Sequence, residues 1–342
     1  MSSISDNELV VKVLDFYPSI GKLQAIESGG GTAGRNLIFT ADNKKYFLRG
    51  RNPNYSTEQE TIYDHSLIKH LAEKGFPVPK LIPSSENKTW VKLNGRIYEL
   101  YEYIPGRRFN PQSLLDLQNL GIALARYHEA VEGFQPQGLK PRVEKREDHP
   151  ELIKPILEDM LKDSKSSSSA FKTIEYLLDQ LLLIQENMSD EKYLQLPQLI
   201  IHGDFHPANI IFGYDNKIYF TDFDWAGMQA KARDITDGIM FFAAKREKPI
   251  HINDIVSLTQ PFEIDFQRSK IFLNAYREIK KVHKEEIEAL PWLIRSRWIQ
   301  ERAKGSRKVP QEKRLQYLVE RCEEPLYWLD KWQDTLVKTL KQ

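Results

Sequence analysis

A polar segment between apolar strands, residues 202–209, is the feature that most constrains how this chain can fold. Within it Asp204 precedes Asn209 by five positions, and a predicted hairpin over residues 210–221 leads to Asp222. Two carboxylates and an amide at this spacing suit phosphoryl transfer, in which catalysis is mainly positioning and charge neutralisation. Asp204 could accept a hydroxyl proton, while Asn209 and Asp222 could hold Mg²⁺ through hard oxygen ligands. The hairpin would bring these three side chains together.

The first hundred residues favour a sheet with one helix. A glycine-rich connection, residues 28–34, separates the first two predicted strands, and Asn94-Gly95 is a strong hairpin signal. Apolar spacing predicts a helix over residues 57–74, which stops at Gly75. The predicted strands are 22–26, 37–40, 45–49, 89–93 and 96–103.

The remainder of the chain is predicted to be mostly helical. Helical periodicity runs through residues 113–131 and 171–185 and returns after Pro261. The serine-rich residues 162–169 predict an exposed, mobile loop, and the strands 210–212 and 217–221 form a short β-rich interruption. We therefore expect an α+β fold, with a small antiparallel sheet lobe over residues 1–103 and a larger helical lobe over residues 104–342.

Composition excludes several classes of protein. The 342 residues carry a formal net charge of +1, so no global basic field favours nucleic acid as a partner. The most apolar stretch, residues 176–184, is too short to cross a bilayer, and residues 1–15 do not resemble a secretory signal. We therefore expect no membrane partner. The single cysteine, Cys322, cannot form an internal disulfide, which predicts a reducing, cytoplasmic location.

The polar segment resembles the catalytic loop of the aminoglycoside phosphotransferase and choline kinase family. That loop, His-Gly-Asp-x-His-x-x-Asn followed later by a metal-binding Asp, is matched by His202, Gly203, Asp204, His206, Asn209 and Asp222. The resemblance spans about residues 20–245 and implies the bilobal fold of protein kinases. It also implies an enzyme that uses ATP and Mg²⁺ to phosphorylate a hydroxyl of a small molecule.

The same resemblance assigns roles within the loop. Asp204 would be the catalytic base, and His206 would face the transferring phosphate or the acceptor. Asn209 and Asp222 would bind the metal ion, whereas His202 would support the loop by hydrogen bonding. Arg233-Asp234 opens the next helix, and its carboxylate is expected to cap or brace nearby structure.

The first lobe would bind the nucleotide. Gly29, Gly30, Gly31 and Thr32 lie where backbone amides could form an anion-binding nest, and Arg49 takes the place of the cation that pairs with phosphates. The family's helix carries a Glu that pairs with this cation. Here Asp64 matches by position, and Glu60, one turn earlier, is an alternative.

The strand at residues 98–103 resembles the hinge that meets adenine in this family. Backbone groups around Glu102, Tyr103 and Ile104 would contact the adenine edge.

The acceptor is implied only as a class: a sugar, an amino acid or an amino alcohol. The basic segment 295–307 favours a neutral or acidic acceptor. Trp225, which follows the metal-binding segment, is a candidate for lining the acceptor pocket, and Trp298 is a weaker one because tryptophans at helical spacing usually pack in the core.

Two other functions remain open at this point. A catalytically quiet, nucleotide-binding or structural member, such as the spore-coat relatives of this family, is favoured by Asp64 in place of Glu. A protein kinase is disfavoured because no Ala-Pro-Glu-like segment follows Asp222 and a helix opens about ten residues later.

Overall fold

A computed structural model describes residues 5–30, 35–53, 56–162, 168–251 and 253–342. The chain divides into two compact units. Unit 1 comprises Met1–Arg108, Phe134–Lys140 and Ile210–Thr221, and unit 2 comprises Phe109–Gly133, Pro141–Asn209 and Asp222–Gln342. The chain first passes from unit 1 to unit 2 after Arg108, a few residues beyond the predicted boundary at residue 103. Two later segments return to unit 1, which the sequence did not predict.

The elements of unit 1 are α1 (Asp6–Leu14), β1 (Leu23–Ser28), β2 (Arg35–Ala41), β3 (Lys44–Gly50), α2 (Glu58–Glu73), β4 (Val91–Leu93), β5 (Arg96–Glu102), β6 (Gly106–Arg107), β8 (Ile210–Gly213) and β9 (Ile218–Phe220). Within its described residues the unit is built on an antiparallel sheet of strand order β1-β2-β3-β5-β4. In a second sheet, β8 pairs with the short β6 on one side and with β9 on the other.

The hairpin predicted at Asn94-Gly95 is confirmed, and a second hairpin joins β2 to β3. Asp42 and Asn43 have φ values of +46° and +60°, and Asn94 and Gly95 have values of +51° and +78°. Two consecutive left-handed residues are what tight hairpin turns need, since their twist matches that of the strands. Asn, Asp and Gly adopt this conformation at the least cost.

The prediction of a single helix in the first hundred residues is wrong, because α1 precedes the sheet. Ser5 caps it by accepting a hydrogen bond from the Glu8 backbone N–H (3.2 Å). Leu9, Val10 and Val13 lie on one face and are buried against the sheet core. Burial of each such side chain contributes about 1.5–3 kcal/mol. The helix is only nine residues long, too short for periodicity to reveal it clearly.

Unit 2 is mainly helical, as predicted. Its elements are α3 (Leu114–Ala130), α4 (Pro150–Lys162), α5 (Ser169–Asn187), α6 (Asp190–Gln195), β7 (Gln198–Ile201), β10 (Gly227–Ala230), α7 (Ala232–Gly238), α8 (Ile255–Leu258), α9 (Phe266–Arg277), α10 (Lys284–Gly305), α11 (Arg314–Val319) and α12 (Glu324–Leu340). Strands β7 and β10 form an antiparallel pair, and the loop at residues 202–209 follows β7. The α+β fold class is thus confirmed. Most of the predicted loop 162–169 lies outside the described residues.

Helix α10 is the central element of unit 2. It is buried along most of its length and packs against α4, α5, α7 and α12. Because a helix surrounded on all sides exposes no polar face, its arginines must find partners inside the protein. Across the described ranges, no helix combines the length and the apolar character that a membrane crossing requires.

The returning segment Phe134–Lys140 packs along α2 within unit 1. The Phe134 ring stacks on His70 with centroids 4.3 Å apart, and the Gln137 backbone N–H donates to the Ser66 hydroxyl (3.0 Å). Gly138 has φ of +81°, and a Cβ there would lie 2.4 Å from a backbone oxygen of α2. Glycine is therefore required for this close approach.

We expect Gly138→Ala to lower the melting temperature more than Gly133→Ala. Both glycines have positive φ, so each substitution costs about 1–2 kcal/mol in backbone strain. At Gly133 a Cβ meets nothing within 4 Å, whereas at Gly138 it meets the Gln59 carbonyl oxygen. Equal shifts in thermal unfolding would show that the close approach to α2 is not maintained.

Candidate active site

The loop predicted to be catalytic begins directly after β7. Gly203 has φ of +77°, and a Cβ there would lie 2.2 Å from the Trp225 backbone oxygen, so only glycine allows this turn. The backbone thus packs on Trp225 and turns toward Asp204. The Asp204 side chain keeps 24% of its surface exposed, which leaves its carboxylate accessible to a reactant.

A buried carboxylate, Asp234, holds the start of the loop. Its two oxygens accept hydrogen bonds from the backbone N–H groups of His202 (2.7 Å) and Gly203 (2.9 Å). His128 Nε2 lies 3.0 Å from Asp234 Oδ2. Burial raises the pKa of the Asp234 carboxyl, but His128, His202 and the Gly203 N–H together bring it below its ordinary value. The expectation that Asp234 braces nearby structure is confirmed.

His128 is neutral in this arrangement. Burial lowers the pKa of its imidazole more than the nearby Asp234 raises it. A neutral ring donates from Nε2 to Asp234 and accepts at Nδ1 from the Tyr276 hydroxyl, 2.7 Å away. Tyr276 lies on α9, so this chain of hydrogen bonds links the loop to a helix far away in sequence.

Three side chains surround the Asp204 carboxylate. His206 Nε2 lies 3.1 Å and Asn209 Nδ2 lies 3.0 Å from Oδ2, while Arg297 Nη2 lies 3.3 Å from Oδ1. Burial would raise the pKa of Asp204, but His206 and then Arg297 lower it below its ordinary value. Asp204 is therefore ionised at neutral pH.

His206 positions Asp204. The backbone N–H of Ala208 donates to His206 Nδ1 (3.2 Å), which requires that nitrogen to be unprotonated and places the ring proton on Nε2, toward Asp204. Burial lowers the pKa of His206, but the Asp204 carboxylate outweighs burial and raises it overall. The contact of His206 with Asp204 was not predicted from the sequence, and the expectation that His206 faces the transferring phosphate or the acceptor stays a prediction.

Sequence reasoning missed Arg297 as a partner of Asp204. This α10 arginine is 1% exposed, and its Nε donates to Asp237 (3.0 Å). Its terminal nitrogens also contact Gln300 and Glu301. A planar guanidinium with five donors can bind several acceptors at once, so Arg297 links the loop to two helices. The only sequence signal was a basic segment on the tail, which did not indicate this contact.

The predicted metal ligands have the donor chemistry that Mg²⁺ requires. Because Asn209 Nδ2 donates to Asp204, its Oδ1 is the atom that would contact a cation. Asp222 has φ of +62°, an uncommon conformation of the kind that clusters at functional sites. Two oxygen ligands suit an ion that also keeps waters and substrate phosphates. No group of three or more His, Cys, Asp and Glu side chains is arranged for a metal in the described portion of the chain.

The glycine-rich connection is described only in part. The Gly29 N–H donates to the Asn36 carbonyl (2.8 Å), and Asn36 Nδ2 donates to the Gly30 carbonyl (3.0 Å). Gly30 has φ of +71°. Asn36 therefore holds the start of the connection. Gly31 and Thr32 lie outside the described residues.

The favoured pairing of Arg49 with Asp64 is not what the structure has. Arg51 and Lys140 contact the Asp64 carboxylate, and Glu60 instead closes a capping box with Thr57 at the start of α2. Arg51 follows Arg49 by two positions, so both side chains lie on one face of the chain. The sequence therefore located the right face and the right carboxylate but the wrong arginine.

A second buried carboxylate, Glu99, lies opposite Arg49 in the β3–β5 register. Its oxygens lie 2.6 Å from Arg51 Nη1, 2.9 Å from His65 Nε2 and 3.4 Å from Arg49 Nη1. Arg51 and His65 outweigh the effect of burial and hold the pKa of Glu99 well below its ordinary value. The Arg49 side chain stays 14% exposed, against 1% for Arg51.

The predicted hinge uses part of its backbone within unit 1. The Glu102 N–H donates to the Lys80 carbonyl (2.9 Å), and the Tyr103 N–H donates to the Lys45 carbonyl (3.3 Å). An adenine edge would therefore need other backbone groups of this segment, of which the Ile104 N–H is one.

Comparison with known proteins shows the family of this chain. The model of the APH phosphotransferase enzyme family matches residues 24–253, about two thirds of the chain. The chain belongs to the APH phosphotransferase family. It is a small-molecule kinase.

Relatives and solved structures support the assignment. A homoserine kinase of Zymomonas mobilis is 27% identical over 68% of this chain and 69% of its own length. A microcompartment-associated aminopropanol kinase has a TM-score of 0.64 at 13% identity, covering 96% of this chain and 98% of its own. Amicoumacin kinase in complex with AMP-PNP, Ca²⁺ and Ami has a TM-score of 0.62 at 17% identity, covering 94% of each chain.

The basic tail segment of this APH kinase serves its own structure. Arg295 contacts Gln180 (2.6 Å) and Asp330 (2.8 Å). Arg302 donates to backbone carbonyls, including that of Thr259 (2.9 Å). Lys304 contacts Glu147. Because these charges are paired within the protein, the segment gives no evidence for a neutral or acidic acceptor.

The two candidate tryptophans have different surroundings. Trp298 is 1% exposed and donates its indole N–H to the Cys322 carbonyl (2.7 Å), so it belongs to the core and not to an acceptor pocket. Trp225 is half-buried beside the loop of the kinase. The Arg142 guanidinium carbon lies 4.6 Å and the Lys304 Nζ lies 5.3 Å from its ring centre.

We expect His128→Gln to flatten the pH dependence of stability. Because the folded-state pKa of His128 is lowered, the unfolded chain binds the extra proton first, and stability is lost as pH falls through about 6.5. The glutamine side chain does not titrate. At pH 8 the His128→Gln variant should be less stable than the wild type, because glutamine cannot replace the hydrogen bonds of His128 to both Asp234 and Tyr276. The melting temperatures of the two proteins should therefore approach each other between pH 8 and pH 5. A constant difference would contradict the neutral state of His128.

Proposed function

We propose that this kinase transfers the γ-phosphate of ATP to a hydroxyl group of a small molecule and requires Mg²⁺. The observation that carries the proposal is the Asp204 carboxylate, ionised and partly exposed, held between His206, Asn209 and Arg297. A carboxylate so constrained can orient a hydroxyl without reorganising during the reaction. The solved neighbour bound to AMP-PNP and a divalent ion supports nucleotide use.

In the proposed reaction the acceptor oxygen bonds to the γ-phosphorus as the bond from that phosphorus to ADP breaks. Asp204 accepts a hydrogen bond from the acceptor hydroxyl and then its proton, which passes to solvent. His206 and Arg297 keep the carboxylate oriented. Bound through Asn209 and Asp222, Mg²⁺ would neutralise charge on the phosphate oxygens. Arg49, with Gly29 and Gly30, would contact the phosphates, and Ile104 the adenine.

The proposed acceptors are small hydroxylated amino acids and amino alcohols. Homoserine kinases are among the relatives, and an aminopropanol kinase shares the fold. We also propose a cytoplasmic location, because the one cysteine, Cys322, is buried and needs no oxidising compartment.

Asp204→Asn should reduce kcat about 10²–10⁴-fold while leaving the affinity for MgATP nearly unchanged, because the amide cannot accept the proton. The assay is ATP consumption with L-homoserine, 1-amino-2-propanol, ethanolamine and sugars, with the phosphorylated product identified. Asp215→Asn is the matched control, because this exposed carboxylate bonds Tyr219 on the hairpin.

An Asp204→Asn variant that turns over at the wild-type rate would refute the assignment of the base. Thermal stabilisation by MgATP without ATP consumption across the whole panel would favour the catalytically quiet alternative.

Arg49 and Arg51 should differ when each is replaced by methionine. Arg51→Met leaves Asp64 and Glu99 short of counter-charge in the interior, and we expect a loss of about 3 kcal/mol or more in stability. Arg49→Met should instead raise the KM for MgATP about tenfold or more, with a smaller change in melting temperature. If Arg51→Met raises that KM at normal stability, the two arginines have exchanged roles.

A further inference from the structure

Arg246 lies in unit 2 beside two aromatic rings. It follows the π-helical turn Ile239–Ala243, and its neighbour Lys245 pairs with Glu263 in an antiparallel bridge. Its guanidinium carbon lies 5.8 Å from the Phe241 ring centre and 5.2 Å from that of Phe262. Ring faces attract a cation without neutralising it. The rings thus hold the guanidinium in place and leave its charge available.

No acidic side chain among the described residues forms an ion pair with Arg246. Its Nε is buried without a hydrogen-bond partner. Burial alone accounts for the lowering of the pKa of this guanidinium to about 9, so the group is still charged at neutral pH. By contrast, the buried Arg297 and Arg295 contact Asp237 and Asp330. A half-buried cation without a counter-ion is costly unless a ligand supplies one.

The position of Arg246 relates it to the candidate active site. Phe241, whose ring lies against Arg246, also lies 5.7 Å from the His206 ring and 5.9 Å from the Arg297 guanidinium carbon. His206 and Arg297 are the two residues that hold Asp204. A single aromatic ring therefore separates Arg246 from the residues around the proposed base, and all of them belong to unit 2.

We propose that Arg246 binds a carboxylate of the acceptor, so that the preferred substrates are hydroxy acids and hydroxylated amino acids. A guanidinium can donate two parallel hydrogen bonds to a carboxylate, which fixes orientation as well as charge. The acceptor would extend past Phe241, with its hydroxyl at Asp204 and its carboxylate at Arg246. This inference rests on the proposed function and narrows its acceptor class.

The proposal distinguishes amino acid acceptors from amino alcohol acceptors, which the family resemblance does not. An amino alcohol without a carboxylate offers Arg246 no counter-charge, and its ammonium group would be repelled by an unpaired guanidinium. A hydroxylated amino acid adds the carboxylate that this site lacks. The basic segment 295–307 cannot make this distinction, because the contacts of Arg295, Arg302 and Lys304 are internal.

The test compares matched acceptors that differ only in a carboxylate: L-homoserine with 3-amino-1-propanol, and D-glycerate with ethylene glycol. For the wild-type chain we expect a higher kcat/KM with the carboxylated member of the productive pair. Arg246→Gln should lower the ratio of the two kcat/KM values about 10–100-fold, through KM for the acceptor and not for MgATP. Arg246→Lys should restore part of the ratio, since it keeps the charge but not the planar geometry.

Lys245→Gln is the control for general electrostatic effects, because it removes a neighbouring exposed cation that pairs with Asp265. It should leave the ratio unchanged. An equal loss for both acceptors in Arg246→Gln, or no loss, would overturn the proposal and leave the phosphotransferase function intact.

A binding measurement makes the test independent of turnover. L-2-Aminobutyrate resembles homoserine but has no hydroxyl, so it cannot be phosphorylated. Thermal stabilisation of the wild-type chain by this compound, reduced in Arg246→Gln, would support the carboxylate site even if no acceptor in the panel consumes ATP. Absence of stabilisation in the wild type, together with an unchanged acceptor ratio, would refute it.

Discussion

The geometry around the proposed base depends on one buried carboxylate, Asp234. It accepts the backbone N–H groups of His202 and Gly203 and is itself held by His128. Hydrogen bonds to a charged group contribute roughly 1.5–3 kcal/mol each, and leaving such a group unpaired in the interior costs more. Asp234 therefore holds the start of the loop in place, and Asp204 lies two residues after His202.

Both units bury carboxylates and neutralise them with buried cations, but the arrangement of the charges differs. In unit 1, Asp64 and Glu99 share Arg51 between them, and Lys140 arrives from a segment that returns to the sheet unit. In unit 2, Arg297 contacts several carboxylates from α10, a helix that is buried along most of its length. Replacing any one charged residue of either network should lower the stability of the protein strongly, because the remaining charges stay buried without a partner. Arg246 differs in that, among the described residues, it forms no ion pair and lies near the Phe241 and Phe262 rings.

Much of the fold and the loop could be predicted because the signals are local. Asn94-Gly95 specifies a tight hairpin, and the spacing of Asp204, Asn209 and Asp222 indicates phosphoryl transfer within one short segment. Predictions that needed distant partners failed more often. Arg51 was passed over for Arg49 as the partner of Asp64, and Lys140 was not expected there at all. The role of Arg297 beside Asp204 depends on a separation of 93 positions, which no local pattern reveals.

By itself the sequence determined the family, the loop that carries the proposed chemistry and the α+β class, because glycine, proline and charged residues at short spacing restrict the backbone directly. Only the tertiary structure decided which cation meets which carboxylate. The reason is that a buried charge selects its partner by three-dimensional proximity and shared desolvation, whereas sequence spacing records neither. Lys140 and Asp64, 76 positions apart, are in contact for that reason. For the same reason, the sequence does not show that Arg246, unlike Arg295 and Arg297, forms no ion pair within the described residues.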